Sequence, residues 1–168
     1  MVRWVNTPCT DPVGRVFIAD GRAYRAVFSD RASLARSVIG DHTVRSLMDE
    51  GLIARMWISD RKLDGFGLVV EAETAPFDVP SERFTRATLR AAVLRWLEVC
   101  KRLLPAGLEL TDAHFGNYML FGMNEPRWVD LGSIRPPPAA EKGERPFKSF
   151  GRFLSGMPSS LLTLGANR

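Results

Sequence analysis

Short, mainly apolar runs separated by turn residues in the first part of the chain predict a small antiparallel sheet. Residues 16–18 and 24–28 are two such runs, on either side of Asp20-Gly21, the dipeptide most typical of a two-residue hairpin turn. Residues 52–58 and 66–70 are two further apolar runs of strand length. We therefore expect short strands and a hairpin before residue 75.

Apolar residues spaced three and four apart predict helices between and after these strands. Gly40 and Asp41 separate a first helix from a second one that ends at Gly51. The longest helix is expected over residues 81–104. Its apolar stripe comprises Leu89, Val93, Trp96, Leu97, Cys100, Leu103 and Leu104. Three tryptophans fall on apolar patterns and are expected in the core: Trp57, Trp96 and Trp128.

Three oxygen-bearing side chains lie next to a second predicted hairpin. Residues 118–129 form an apolar strand, a turn and a return strand. Asn117 comes directly before the first strand and Asp130 follows the second, so both are expected at the same end of the hairpin. Asp112, on the preceding loop, would then face them. Such oxygens suit a hard divalent cation and the acceptance of a proton.

The positive charge of the chain is confined to its last segment. The 168 residues carry 23 Lys and Arg against 19 Asp and Glu, a net charge of +4. Residues 134–168 hold six of the basic and two of the acidic residues, so residues 1–133 are neutral. This segment lacks the dense basic clusters and interleaved aromatic residues of nucleic-acid-binding proteins. We therefore do not expect a nucleic-acid partner.

Cysteine usage and hydropathy favour a cytoplasmic protein. Cys9 and Cys100 are too few for a disulfide framework or, by themselves, a zinc site, and Cys100 is expected to be a buried free thiol. No apolar run approaches the roughly 18–20 residues that cross a bilayer. The N-terminus also lacks the apolar core of a signal peptide.

The sequence Asp112-Ala-His-Phe-Gly-Asn117, followed by Asp130-Leu-Gly132, resembles the catalytic loop and metal-binding motif of the protein-kinase-like fold. It is most similar to the aminoglycoside and small-molecule kinase branch. The resemblance implies that Asp112 is the catalytic base and that Asn117 and Asp130 hold Mg²⁺ on the phosphates of ATP. The acceptor would be the hydroxyl of a small molecule.

The resemblance also implies a two-lobed α+β domain. It predicts an N-lobe with a small antiparallel sheet over residues 1–75, a hinge over residues 76–80 and a reduced helical C-lobe over residues 81–133. A Pro-rich basic connector and a terminal helix with a phenylalanine stripe would occupy residues 134–168. A finer similarity, over about residues 14–155, is to the kinase-like region that precedes a methyltransferase domain in some bacterial proteins. It rests on residues 20–25, 47–52 and 147–154.

The same resemblance assigns nucleotide-binding residues to the first part of the chain. Arg25 would contact phosphate and pair with Asp49 or Glu50 from the neighbouring helix. The segment from Glu71 through Glu73 to Pro80 would form the hinge, where adenine meets backbone groups.

Several departures from the active kinase pattern keep a second interpretation open. Leu110 stands where active kinases carry a histidine, and Arg25 stands in for the phosphate-binding lysine. The expected phosphate-covering loop has few glycines, and 35 residues follow Ser133, too few for an ordinary C-lobe. The alternative is a catalytically silent kinase-like module that binds a protein partner or regulates an attached enzyme such as a methyltransferase.

Two further alternatives concern the polar loop itself. Asp112 and Asn117 could be ordinary loop residues, since Asp and Asn favour turns through backbone hydrogen bonds. His114 is expected to brace the loop, although Asp112, His114 and Asp130 could also form the centre of a metal-assisted hydrolase. Gly65-Phe-Gly67 precedes a strand and does not lead from a strand into a helix, so we do not interpret it as a nucleotide-binding fingerprint.

Overall fold

Strands and helices alternate irregularly along the chain, which confirms the α+β fold class. The computed structural model describes residues 2–5, 11–77, 79–112 and 114–137. The chain divides into two compact units, Met1–Thr74 and Ala75–Arg168. Among the described residues, no helix is long and apolar enough to cross a membrane.

The first unit contains a five-stranded sheet and two short helices. The sheet has the order β1-β2-β3-β5-β4, and all neighbouring strands are antiparallel. The strands are β1 (Val2–Trp4), β2 (Gly14–Ala19), β3 (Arg22–Val27), β4 (Met56–Ile58) and β5 (Leu68–Ala72). The helices are α1 (Ala32–Gly40) and α2 (His42–Asp49).

The predicted hairpin between β2 and β3 is confirmed. Gly14 pairs with Val27 at one end and Ala19 pairs with Arg22 at the other. Asp20 and Gly21 both have positive φ, 51° and 74°, the conformation that a tight two-residue turn between twisted strands requires.

Aromatic packing forms the core on one face of this sheet. Phe17 and Tyr24 are neighbours on β2 and β3, and their rings stack with centroids 5.1 Å apart. Trp4 meets Phe17 edge-on at 5.3 Å, which anchors β1 to the sheet. Both side chains of the stacked pair are buried.

Two predictions for this unit are wrong. The strand expected over residues 52–58 begins only at Met56, because the backbone N–H groups of Leu52 and Ile53 donate to the carbonyl oxygen of Leu47 in α2. Trp57, expected in the core, is 43% exposed, because it lies on the edge strand β4 with its side chain away from the packed face.

The second unit is built on the long helix α3 (Arg86–Leu103). Thr85 caps it by accepting a hydrogen bond from the backbone N–H of Thr88, and Gly107 follows its end in a left-handed conformation. A separate turn of 3₁₀-helix, Ser81–Arg83, precedes the cap, so α3 starts five residues later than predicted.

The face that helix α3 buries overlaps only in part with the one that its sequence predicts. Leu89, Trp96 and Leu103 are buried as expected, but Leu97 and Leu104 are 45% and 48% exposed. Val93 and Cys100 are only half-buried. The buried residues are Thr88, Leu89, Ala92, Trp96, Val99 and Leu103.

Two short antiparallel ladders complete the second unit. One is the predicted hairpin, β7 (Tyr118–Leu120) with β8 (Pro126–Trp128), and in it Trp128 is buried as expected. The other joins β6 (Glu109–Leu110) to β9 (Ile134–Arg135) and was not predicted. The terminal helix expected around Phe147, Phe150 and Phe153, and most of the basic connector, lie outside the described residues.

Candidate functional site

The β7–β8 hairpin brings Asn117 and Asp130 to one end of the same ladder. Tyr118 pairs with Trp128 in the register of the strands, and the backbone N–H of Val129 donates to the carbonyl oxygen of Asn117 at 2.9 Å. Asn117, directly before β7, therefore lies beside the segment that follows β8 and contains Asp130. The prediction that these two residues share one end of the hairpin is confirmed.

The β6–β9 ladder brings the segment before Asp112 to the segment after Asp130. The backbone N–H and the hydroxyl of Thr111 both donate to the carbonyl oxygen of Ser133, at 2.8 and 3.1 Å. Asp112 follows directly, and its carbonyl oxygen accepts a hydrogen bond from the side-chain amide of Asn117 at 2.9 Å. The two ladders thus gather Asp112, Asn117 and Asp130 in one region of the second unit.

The contacts of Asn117 determine which of its side-chain atoms can bind a cation. Its amide nitrogen faces the Asp112 carbonyl, which can only accept a hydrogen bond. The amide oxygen Oδ1 therefore points to the other side of the group, and oxygen is the donor atom that Mg²⁺ and Ca²⁺ prefer.

The carboxylate of Asp112 is held only loosely. Its side chain is 68% exposed, and its Oδ2 atom lies 3.6 Å from Nε2 of His114, an ion pair that exists when the imidazole is protonated. A Cβ atom at position 116 would lie 2.9 Å from the His114 ring, so Gly116 lets this ring pack against the loop. These contacts agree with His114 as a residue that braces the loop.

A buried serine that the sequence pattern did not predict holds the backbone at Asp130. Ser133 is 1% exposed; its hydroxyl donates to the Asp130 carbonyl at 2.7 Å and accepts from the Trp128 indole N–H at 2.9 Å. The carboxylate of Asp130 accepts from the backbone N–H of Gly132 at 3.0 Å. The signal in the sequence was a serine inside an otherwise apolar run, Leu131 to Ile134, where a polar side chain needs a partner.

The metal-assisted hydrolase is not supported. Among residues 2–5, 11–77, 79–112 and 114–137, no three His, Cys, Asp or Glu side chains are grouped so that they could hold a metal ion. Asp112, His114 and Asp130 are all described and do not form such a group. A site at this hairpin would have to use the amide of Asn117 and oxygens of a ligand.

In the first unit, Arg25 is half-buried at the centre of β3. One of its guanidinium nitrogens lies 2.6 Å from Oδ2 of Asp11, whose other oxygen accepts from the backbone N–H of Val13. Two acidic partners were expected for Arg25. One of them, Asp49, pairs with Arg55 instead, with 4.0 Å between its carboxylate oxygen and a guanidinium nitrogen. Glu50 follows α2 and accepts from the Ser46 hydroxyl, and its pairing with Arg25 stays a prediction.

The structure moves the start of the expected hinge. Glu71 is a buried residue of β5, paired with Tyr24 and Trp57 in the neighbouring strands, so the hinge cannot begin there. Its carboxylate lies 2.8 Å from Arg22 and raises the pKa of that guanidinium by a hydrogen bond and by its charge. Glu73 lies just beyond β5, and both its N–H and its carboxylate bond the backbone of Arg55.

No protein-family model matches this chain, and no curated protein matches it either.

Proposed function

We propose that the chain is a kinase-like domain, with two lobes and a reduced C-lobe, that binds a Mg²⁺-nucleotide and transfers phosphoryl from ATP to a small-molecule hydroxyl. The observation that carries the proposal is the junction of the two ladders, where the loop from Asp112 to Asn117 is closed by a hydrogen bond beside Asp130.

The residues at this junction suit a magnesium nucleotide. Mg²⁺ is commonly bound by one or two protein carboxylates together with phosphate oxygens, so a complete protein cage is not needed. Asn117 Oδ1 and the Asp130 carboxylate would supply the protein oxygens. Mg²⁺ would neutralise the negative charge that develops on the phosphates during transfer.

Asp112 is the residue that we assign to proton acceptance. Its carboxylate is exposed, so an acceptor hydroxyl can approach it, and the Asn117 side chain fixes the backbone from which it projects. A carboxylate within hydrogen-bond reach of the hydroxyl would orient it and accept its proton. Arg25 and the segment that follows Glu73 are the residues assigned to phosphate and adenine.

Calorimetric titration of the purified chain with ATP, in the presence and absence of Mg²⁺, tests the binding claim. We expect Mg²⁺-dependent binding that Asp130→Asn weakens at least about tenfold, because a neutral amide is a poorer ligand for a hard dication. Asp64→Asn removes an exposed carboxylate in the first unit and serves as the matched control. Equal binding by wild type and Asp130→Asn, or none by either, would reject the proposed site.

Two observations favour a catalytically silent kinase-like module as the second candidate. Leu110 is buried in β6 at the position where active kinases carry histidine, and Arg25 already has a carboxylate partner in Asp11. Such a module would bind nucleotide without consuming it. Sustained ATP consumption that Asp112→Asn abolishes, while nucleotide binding persists, would exclude this candidate.

A further inference from the structure

The outer face of α3, together with Leu104 directly after its last residue, carries a heptad pattern that its own unit does not use. Six residues follow one another at spacings of three and four, and every one of them is exposed. They are Ala87, Arg90, Leu94, Leu97, Lys101 and Leu104. Spacings of three and four in alternation are those of the contact seam between two packed helices. We call these six residues the outer seam.

The outer seam is separate from the face that α3 buries in its own core. The buried face is centred on Trp96, Val99 and Leu103, which lie on the opposite side of the helix. The helix therefore has two apolar stripes, one packed and one exposed. Leu94 and Leu97 form the middle of the exposed stripe, 56% and 45% exposed.

The charges on this face point to the chemistry of its occupant. Arg90 and Lys101 interrupt the seam on either side of the leucine pair, and Arg86 is exposed beside its first turn. The nearest acid on the helix is Glu98, 3.5 Å from Lys101. Two copies packed through this seam would place like charges together, which disfavours self-association. An acidic partner would instead gain from Arg90 and, in competition with Glu98, from Lys101.

We infer that the outer seam of α3 binds an amphipathic helix of a partner protein, with leucine-type residues against Leu94 and Leu97 and acidic residues opposite Arg90 and Lys101. A seam of regular heptad spacing matches the knobs-into-holes packing of one helix on another. A flat lipid surface does not require that spacing. The site goes beyond nucleotide binding and does not depend on it.

Binding of two synthetic helical peptides to the full chain tests the inference. Both peptides carry leucine at the seam positions; one has glutamate and the other lysine at the charged positions. We expect the acidic peptide to bind at least about tenfold more tightly, and Leu97→Glu to abolish its binding. Met123→Glu places the same charge on another exposed apolar residue of this unit and should leave binding unchanged.

A charge exchange sharpens the test. The double variant R90E/K101E should prefer the lysine peptide, because both charged residues of the outer seam then carry negative charge. Equal affinity for both peptides, or no binding of either up to about 1 mM, overturns the inference. So does a dimer that Leu97→Glu dissociates, or preferential binding to anionic vesicles. A photo-crosslinker at position 97 that reacts mainly with residues 147–154 of the same chain would show an internal occupant and overturn it as well.

Discussion

The side-chain amide nitrogen of Asn117 lies 2.9 Å from the backbone carbonyl oxygen of Asp112. This single hydrogen bond closes the six-residue loop from Asp112 to Asn117 and orients the asparagine by its chemistry, since only the NH₂ group can donate to a carbonyl. It also explains why an aspartate would not replace Asn117 without loss, although both residues offer oxygens to a cation.

Asn117→Asp should lower the free energy of unfolding by about 1 kcal/mol or more, because a carboxylate oxygen would face the Asp112 carbonyl without a proton between them. Urea denaturation at neutral pH measures this. At a pH well below the aspartate pKa of about 3.9, the protonated side chain can donate, and the difference from wild type should shrink. A difference that does not change with pH would contradict this account of the loop.

Local patterns in the sequence were sufficient for the parts of the fold that depend on neighbouring residues. The Asp20-Gly21 turn and the hairpin next to Asn117 and Asp130 are set by turn chemistry and short apolar runs over a few positions. The sequence alone therefore predicts that Asn117 and Asp130 share one end of the hairpin.

Elements that depend on distant partners could not be predicted in the same way. Strand β6 has only two residues and exists because it pairs with β9, 24 residues later at Leu110 and Ile134. Strand β1 is similarly short and mostly exposed. The apolar stripe predicted for α3 includes Leu89, Trp96 and Leu103, which are buried, but it also includes exposed residues, because periodicity alone does not show which of two stripes packs.

Ser133→Ala should destabilise the chain by about 1 kcal/mol, a modest effect for a residue that is almost fully buried. The reason is that the Trp128 indole N–H also lies 3.0 Å from the Asp130 carbonyl and keeps an acceptor. Thr111 bonds to the backbone of Ser133 and is not affected. Ser133→Val adds volume beside the indole and should cost more, so a smaller loss for valine in urea denaturation would contradict this network.

Tyr118→Phe should leave stability unchanged or raise it by up to about 1 kcal/mol. The Tyr118 hydroxyl is buried and has no hydrogen-bond partner among the described residues, so its removal relieves a desolvation cost. The ring itself packs edge-on against Trp128 and is retained in phenylalanine. Thermal denaturation compares the two proteins, and Tyr118→Leu, which loses the ring contact, should be clearly less stable. Destabilisation by phenylalanine would reveal a partner for the hydroxyl.

Burial also raises the pKa of Tyr118, so this phenol should remain protonated in the folded chain at alkaline pH. The protein has two tyrosines, and ultraviolet titration in the Tyr24→Phe background reports on Tyr118 alone. We expect its ionisation to coincide with alkaline unfolding. A separate titration near pH 10 in the folded protein would show that the side chain is accessible to water.

The Cys100 thiol should make stability fall at high pH. Burial raises its pKa from 9.0 to about 12, so the folded state keeps a proton that the unfolded state loses. The contribution of the protonated thiol to the free energy of unfolding is complete below pH 9 and is lost as the pH rises from 9 towards 12. The unfolding free energy of Cys9→Ser should therefore decline over this interval more steeply than that of the Cys9→Ser/Cys100→Ala double variant. Parallel curves would show that the thiol ionises freely.

Arg25→Met should lower the free energy of unfolding by about 2 kcal/mol, because it leaves the Asp11 carboxylate half-buried without its cation. Lysine at position 25 restores the charge without the planar guanidinium and should recover part of the loss. Arg31→Met removes an exposed guanidinium that pairs with Asp30 at 3.3 Å, and it should lower the free energy of unfolding only slightly in the same urea denaturation.

The Asp11 carboxylate also accepts a hydrogen bond from the backbone N–H of Val13, so Asp11→Ala should destabilise the chain at least as much as Arg25→Met. Equal, small losses for Arg25→Met and Arg31→Met would show that the Arg25–Asp11 pair does not hold the start of β2 against β3.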